Sequence, residues 1–127
     1  MTEPHFLEVA EVHRLHERSL NTYGGTPGVR DFGLVASAVF QPKNDFHYGG
    51  ADIFGIAAAY AYHIAEAQAF LDGNKRTALA TAMTFLEMQG VDTACDWRTL
   101  YDAMIAIAEK RMNKAALAAL FRKIFGA

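Results

Sequence analysis

The chain has 127 residues, the size of one domain with a single core that buries about two-thirds of the surface exposed on unfolding. With 52% apolar and 20% charged residues, three prolines and no low-complexity run, the composition fits a packed globular domain and excludes disorder. Charged residues or histidine break every apolar stretch before the roughly 20 residues that span a bilayer, and a net charge of -2 from twelve basic and fourteen acidic side chains offers no broad attraction to nucleic acid. Any anion site is therefore local. The opening Met-Thr-Glu-Pro-His has neither a basic nor an apolar region of a secretory signal, so a cytoplasmic address is expected. Cys95 stands alone, which excludes an intrachain disulfide and a cysteine-cluster metal site.

From Phe6 to about Asn21, Leu7, Val9, Val12, Leu15 and Leu20 recur near a 3.6-residue period between charged residues, predicting a surface helix. Tyr23-Gly24-Gly25-Thr26-Pro27-Gly28 then forms a loop. Asp31 caps a predicted helix to about Phe40, with Leu34, Val35, Ala38 and Val39 as its apolar face. Gln41 to Gly50 mixes turn formers with two aromatics and is expected as an exposed loop or short β-hairpin. The Ala-rich stretch from Asp52 to Phe70 reads as a buried helix, because an element apolar on most sides belongs inside the core. A second Ala-rich helix spans about Asn74 to Met88 and stops at Gly90. Asp96 and Asn113 cap two more, Trp97 to about Lys110 and Lys114 to Phe125. The sum is one all-α, six-helix domain over residues 1–127 with a small loop or β-hairpin excursion.

Between the two Ala-rich helices stands Phe70-Leu71-Asp72-Gly73-Asn74-Lys75-Arg76-Thr77, an abrupt run of polar residues at a helix start. A helix N-terminus carries unpaired N–H groups and the positive dipole end, and Gly73 lets successive N–H groups converge. Lys75 and Arg76 add two positive charges there, against the dipole, so an anion is implied. Asp72 repels a phosphate unless a divalent cation lies between them, which suggests a nucleotide phosphate chain with Mg2+. The competing reading on local features is a plain helix cap with Lys75 and Arg76 in solvent.

The stretch Gln68-Ala69-Phe70-Leu71-Asp72-Gly73-Asn74-Lys75-Arg76 resembles the signature of the Fic/Doc superfamily, above all its Doc (death-on-curing) branch, whose motif reads His-x-Phe-x-Asp-x-Asn-Lys-Arg. Flanking similarity covers roughly residues 28 to 92, including Gly28-Val29-Arg30-Asp31-Phe32-Gly33-Leu34 and Ala78 to Gly90. The resemblance implies a six-helix Fic/Doc domain, ATP and Mg2+ as cofactors, Asp72 as metal ligand, Gly73 and Asn74 as anion-hole positions, and Lys75 and Arg76 as phosphate grips. It implies that Phe70 anchors the loop in the core. A basic residue at the Lys75 position goes with transfer of a single phosphate to a protein hydroxyl, whereas glycine there goes with AMP transfer. The implied target resembles elongation factor Tu, with Gln41 to Gly50 as the flap that holds it by strand addition. In Doc proteins phosphorylation of that target arrests growth, and the resemblance implies a toxin restrained in trans by a small antitoxin. No Glu has Ser or Thr four residues before it, so the intrachain inhibitory motif that part of the superfamily carries is not found in this sequence.

Gln68 stands where the family has its catalytic histidine. An amide cannot accept a proton near pH 7, and loss of a positioned base typically costs on the order of 100- to 10,000-fold in rate. His63 is a poor substitute, because five helical residues turn it about 140° away and set it roughly 7.5 Å back along the axis. His47 in the expected flap is read as a solvent-exposed residue. Gln68 is either natural, in a binding or regulatory pseudoenzyme, or an inactivating substitution. Three readings follow: a Doc-like toxin and kinase by ancestry, impaired by Gln68; a silent module binding nucleotide and antitoxin; and an AMP transferase, weakened by Lys75. For the antitoxin, a stripe such as Leu7, Val9 and Val12 is a candidate groove against its reading as ordinary core.

Overall fold

The computed structural model describes residues 3–126 as six helices: α1 Val9–Tyr23, α2 Phe32–Gly49, α3 Ile53–Ala67, α4 Asn74–Met88, α5 Trp97–Ala108 and α6 Lys114–Phe125. Met1, Thr2 and Ala127 of the expected 1–127 domain lie outside the described residues. The all-α expectation holds. Among the described residues the extended pairing is one isolated antiparallel bridge, Val29 with Phe70.

The Ala-rich α3 is the hub, packed by α2, α4, α5 and α6. Asp52 starts it by accepting a hydrogen bond from the Gly55 N–H at 2.8 Å, and every residue from Ile56 to Ala61 is fully buried. Alanines on several faces let four helices approach at once, while Ile56, Tyr60 and Ile64 fill the gaps. Each large apolar side chain buried this way contributes about 1.5–3 kcal/mol. Enlarging Ala58 to Leu would force side chains off their rotamers and cost about 1–3 kcal/mol.

Three boundaries differ from the sequence expectation. Helix α1 begins at Val9, with Glu8 as N-cap in a reciprocal capping box with Glu11. Leu7 and Val12 are buried, but Val9 is exposed, and His16 and Ser19 complete the inward face. A stripe of Leu7, Val9 and Val12 is therefore no groove: two members are core and the third points to water.

The second correction is larger. Gln41 to Gly50 is neither a loop nor a hairpin, since α2 continues through Pro42 to Gly49 and ends on Gly50 in the left-handed conformation at φ 65°. Proline lacks the N–H that would reach Ala38, so one helical bond is forgone. Tertiary contacts outweigh that loss. Pro42 itself is buried, Phe46 meets Phe6 edge-on at 5.9 Å, and Asp45 pairs with Lys114 of α6 at 2.7 Å. A third boundary moves as well: the Ala-rich helix expected from Asp52 to Phe70 is α3, which stops at Ala67 because the chain turns left-handed at Gln68. The expected starts at Asp31, Asn74, Asp96 and Asn113 stand where the sequence places them. No helix among the described residues is long and apolar enough to cross a membrane.

Candidate phosphate-binding site at the start of α4

Helix α3 stops at Gln68, an exposed residue in the left-handed region at φ 46°, ψ 44°. That conformation crowds any Cβ and reverses the chain sharply. Ala69 and Phe70 then plunge into the core, each nearly inaccessible. The next residues are pinned to the α1–α2 connection. Arg30 and Asp31 both donate to the Ala69 carbonyl, at 2.7 and 3.1 Å, and the Leu71 N–H donates to the Gly28 carbonyl at 3.1 Å. Val29 thus faces Phe70 in the narrow, non-hydrogen-bonded type of antiparallel pair, in which both residues turn their own N–H and C=O outward.

On the Phe70 side those outward groups are satisfied by Asn74, whose carboxamide accepts from the Phe70 N–H at 3.1 Å and donates to the Phe70 carbonyl at 3.0 Å. Asn74 acts as a one-residue neighbouring strand. It ties the first turn of α4 to the buried aromatic that anchors the loop. Gly73, at φ 78°, is the turn residue that makes this approach possible.

Asp72 projects on the solvent side. Its Oδ2 accepts from the Thr26 N–H at 3.1 Å and its Oδ1 from the Gly73 N–H at 2.8 Å. These two backbone bonds, with Arg76 and His16 adding positive potential, hold its carboxyl below the ordinary carboxylate range. Close approach of the Thr26 loop requires Gly25, where an added Cβ would lie 2.9 Å from Asp72 Oδ2 and where φ is 125°. Each Asp72 oxygen keeps lone pairs free after these bonds, so a hard cation fits there through oxygen. Among the described residues no group of three or more His, Cys, Asp or Glu side chains converges as a metal cage. A single carboxylate suits a cation such as Mg2+ that keeps several of its waters.

The basic pair divides. Lys75 is half-buried in the first turn, whereas Arg76 is exposed with its guanidinium 4.6 Å over the Tyr23 ring. Tyr23 and Arg76 also rim a cleft of about 580 Å³ between α1, α4 and α5, floored by Leu15, Leu79 and Met83 and walled by Trp97.

The structure therefore gathers Asp72, Gly73, Asn74, Lys75 and Arg76 at one helix start and sets Gln68 at the turn just before them. The two other histidines weighed as bases are committed elsewhere. His63 is half-buried, 3.1 Å from Lys114 Nζ, and burial and that ammonium lower its pKa. His47 pairs with Glu3 at 2.8 Å on the last turn of α2. Sequence reasoning missed His16 and Thr26. His16 carries a legible signal, standing four residues after Val12 on the apolar face; Thr26 carries none, since only its backbone is used.

A model of the Fic/DOC family matches residues 6–86, from before α1 into the last turn of α4. The chain belongs to the Fic/DOC family. It is similar to the "Protein kinase doc" of Escherichia phage P1, with 31% identity over 117 residues, 91% of this chain and 92% of that protein. It is also similar to the "Toxin Doc" of Mycolicibacterium smegmatis, with 39% identity over 98 residues, 74% of this chain and 69% of that one.

Proposed function

We propose that the chain is a Doc-like toxin of a toxin–antitoxin pair, a cytoplasmic protein that binds ATP with Mg2+ and descends from kinases that phosphorylate a protein hydroxyl. The observation that carries this reading is the cradle at the start of α4: Gly73 left-handed, Asn74 clamped to Phe70, two basic side chains, and an ionised Asp72 beside them. The names of the two relatives support the toxin and kinase parts.

Phosphoryl transfer depends mainly on positioning and on charge stabilisation, both of which such a cradle supplies. Gly73 and Asn74 N–H groups would meet phosphate oxygens, and Lys75 and Arg76 would balance charge building on them. Asp72 would hold Mg2+, which would supply neutralising charge to the phosphates. A base is lacking. Gln68 can orient a hydroxyl by hydrogen bonding but cannot take its proton, so transfer runs far below that of a histidine-bearing relative. This same feature favours the second reading, a silent module that binds nucleotide and antitoxin. Lys75, in place of glycine, stands against AMP transfer.

The protein target, of the elongation factor Tu kind, would present its hydroxyl in an extended segment. With Gln41 to Gly50 helical, the backbone suited to strand addition is Val29, whose N–H and C=O face away from Phe70. The antitoxin would restrain the toxin in trans by laying an apolar helix in the cleft between α1, α4 and α5. Calorimetry with Mg-ATP tests the nucleotide part. The chain should bind it, and Arg76→Ala should weaken binding about tenfold or more, the worth of a charged hydrogen bond; equal affinities would sink the assignment of Arg76.

A further inference from the structure

His16 is one of few buried polar side chains, only 3% exposed in the middle of α1, and no part of the proposed chemistry uses it. Its Nε2 lies 2.9 Å from the Asp72 carbonyl, 56 residues along the chain. A carbonyl only accepts, so Nε2 carries the proton and donates. The ring also stacks on Phe70 at 3.9 Å and 15°, and a Cβ on Gly73 would touch it at 3.7 Å. His13, one turn earlier, meets Phe70 edge-on at 5.7 Å. The imidazole therefore lies beneath the run from Phe70 to Gly73, with its N–H aimed at the single peptide joining Asp72 to Gly73.

That peptide is trans, so its C=O and N–H point in opposite directions. Holding the Asp72 carbonyl toward α1 turns the Gly73 N–H outward, to the side where Asp72 Oδ1 now accepts it and where an anion would sit. Gly73 has a wide choice of φ and ψ, and without an anchor this peptide could flip. We propose that His16 is a positioning residue of the phosphate cradle: its Nε2–H fixes the Asp72–Gly73 peptide so that the Gly73 N–H faces the ligand. The inference rests on the nucleotide reading for its purpose but not for its geometry.

Two substitutions separate the ring from its proton. His16→Phe keeps the stack on Phe70 and removes the donor; His16→Gln restores an N–H donor near the Nε2 position. Mg-ATP affinity should fall about tenfold in His16→Phe, as for a lost buried hydrogen bond, and return to within about threefold of the native value in His16→Gln. Exchange of the Gly73 amide proton, followed by NMR without nucleotide, should quicken about tenfold in His16→Phe and recover with Gln. In the native chain, nitrogen-15 shifts should show His16 Nε2 protonated, a signature that needs no variant to fold. A bare Nε2, or native affinity and exchange in His16→Phe, would overturn the inference. Should the native chain fail to bind Mg-ATP, the nucleotide reading falls, while the Nε2 signature and the Gly73 exchange rates still decide whether His16 orients the peptide.

Discussion

Asn74 and Phe70 hold each other through two reciprocal hydrogen bonds, the side-chain amide of one bracketing both backbone groups of the other. The pair joins the apolar anchor of the loop to the first residue of α4, so core packing and the geometry of the helix start share one contact. Asn74→Ala strips partners from a Phe70 N–H and C=O that are partly sheltered from water. We expect a loss of about 1–3 kcal/mol in urea denaturation, together with weaker Mg-ATP binding. A loss below about 0.3 kcal/mol would show that the clamp is ornamental.

Tyr60 offers a second test, remote from the cradle. Its hydroxyl accepts from the Leu7 N–H at 2.9 Å, tying the segment before α1 to the centre of α3. Burial raises its pKa to about 12, above the ordinary value near 10. The folded form therefore keeps the proton longer than the unfolded chain. Stability from this term is complete below pH about 10 and is lost as pH rises through about 12. Tyr60→Phe should cost about 1–2 kcal/mol at pH 7 by leaving the Leu7 N–H unpaired. The gap between variant and native chain should narrow above pH 10 in chemical denaturation, because the variant has no phenol to ionise.

The helices legible in the sequence are those with a capping side chain and an unbroken apolar face. Asp31, Asp52, Asp96 and Asn113 all cap as their types suggest. The run from Asp72 to Arg76 stands out in the sequence because paired cations at a helix start work against the dipole, and those residues do stand together at the start of α4. The second half of α2 was not legible. Pro42, Gly49 and Gly50 look like punctuation locally, and the contacts that keep Phe46 and Asp45 helical come from Phe6 and Lys114, distant in sequence. The place of His16 on the apolar face of α1 is legible, but its contact is not, for a related reason: its partner is a backbone carbonyl 56 residues away, to which no side-chain pattern points.

Gln68 pays a conformational penalty whatever its chemistry, since its φ of 46° suits glycine and, among other residues, asparagine, aspartate and histidine. Gln68→Val should destabilise the chain by about 1–2 kcal/mol, because a β-branched side chain is crowded in that region. Gln68→Asn should be neutral or slightly stabilising in thermal unfolding. Equal melting temperatures for Val and Asn variants would mean that the turn relaxes out of the left-handed region.

Histidine suits the same turn, so Gln68→His should supply the base that the proposed reading requires without disturbing the backbone. Purified native and Gln68→His chains are each incubated with bacterial elongation factor Tu and with ATP labelled at either the gamma or the alpha phosphate. The account predicts that label from the gamma position reaches the target in the His form at a rate at least about 100-fold above the native chain, with none transferred from the alpha position. Equal transfer by both forms, or label arriving from the alpha phosphate, would contradict it.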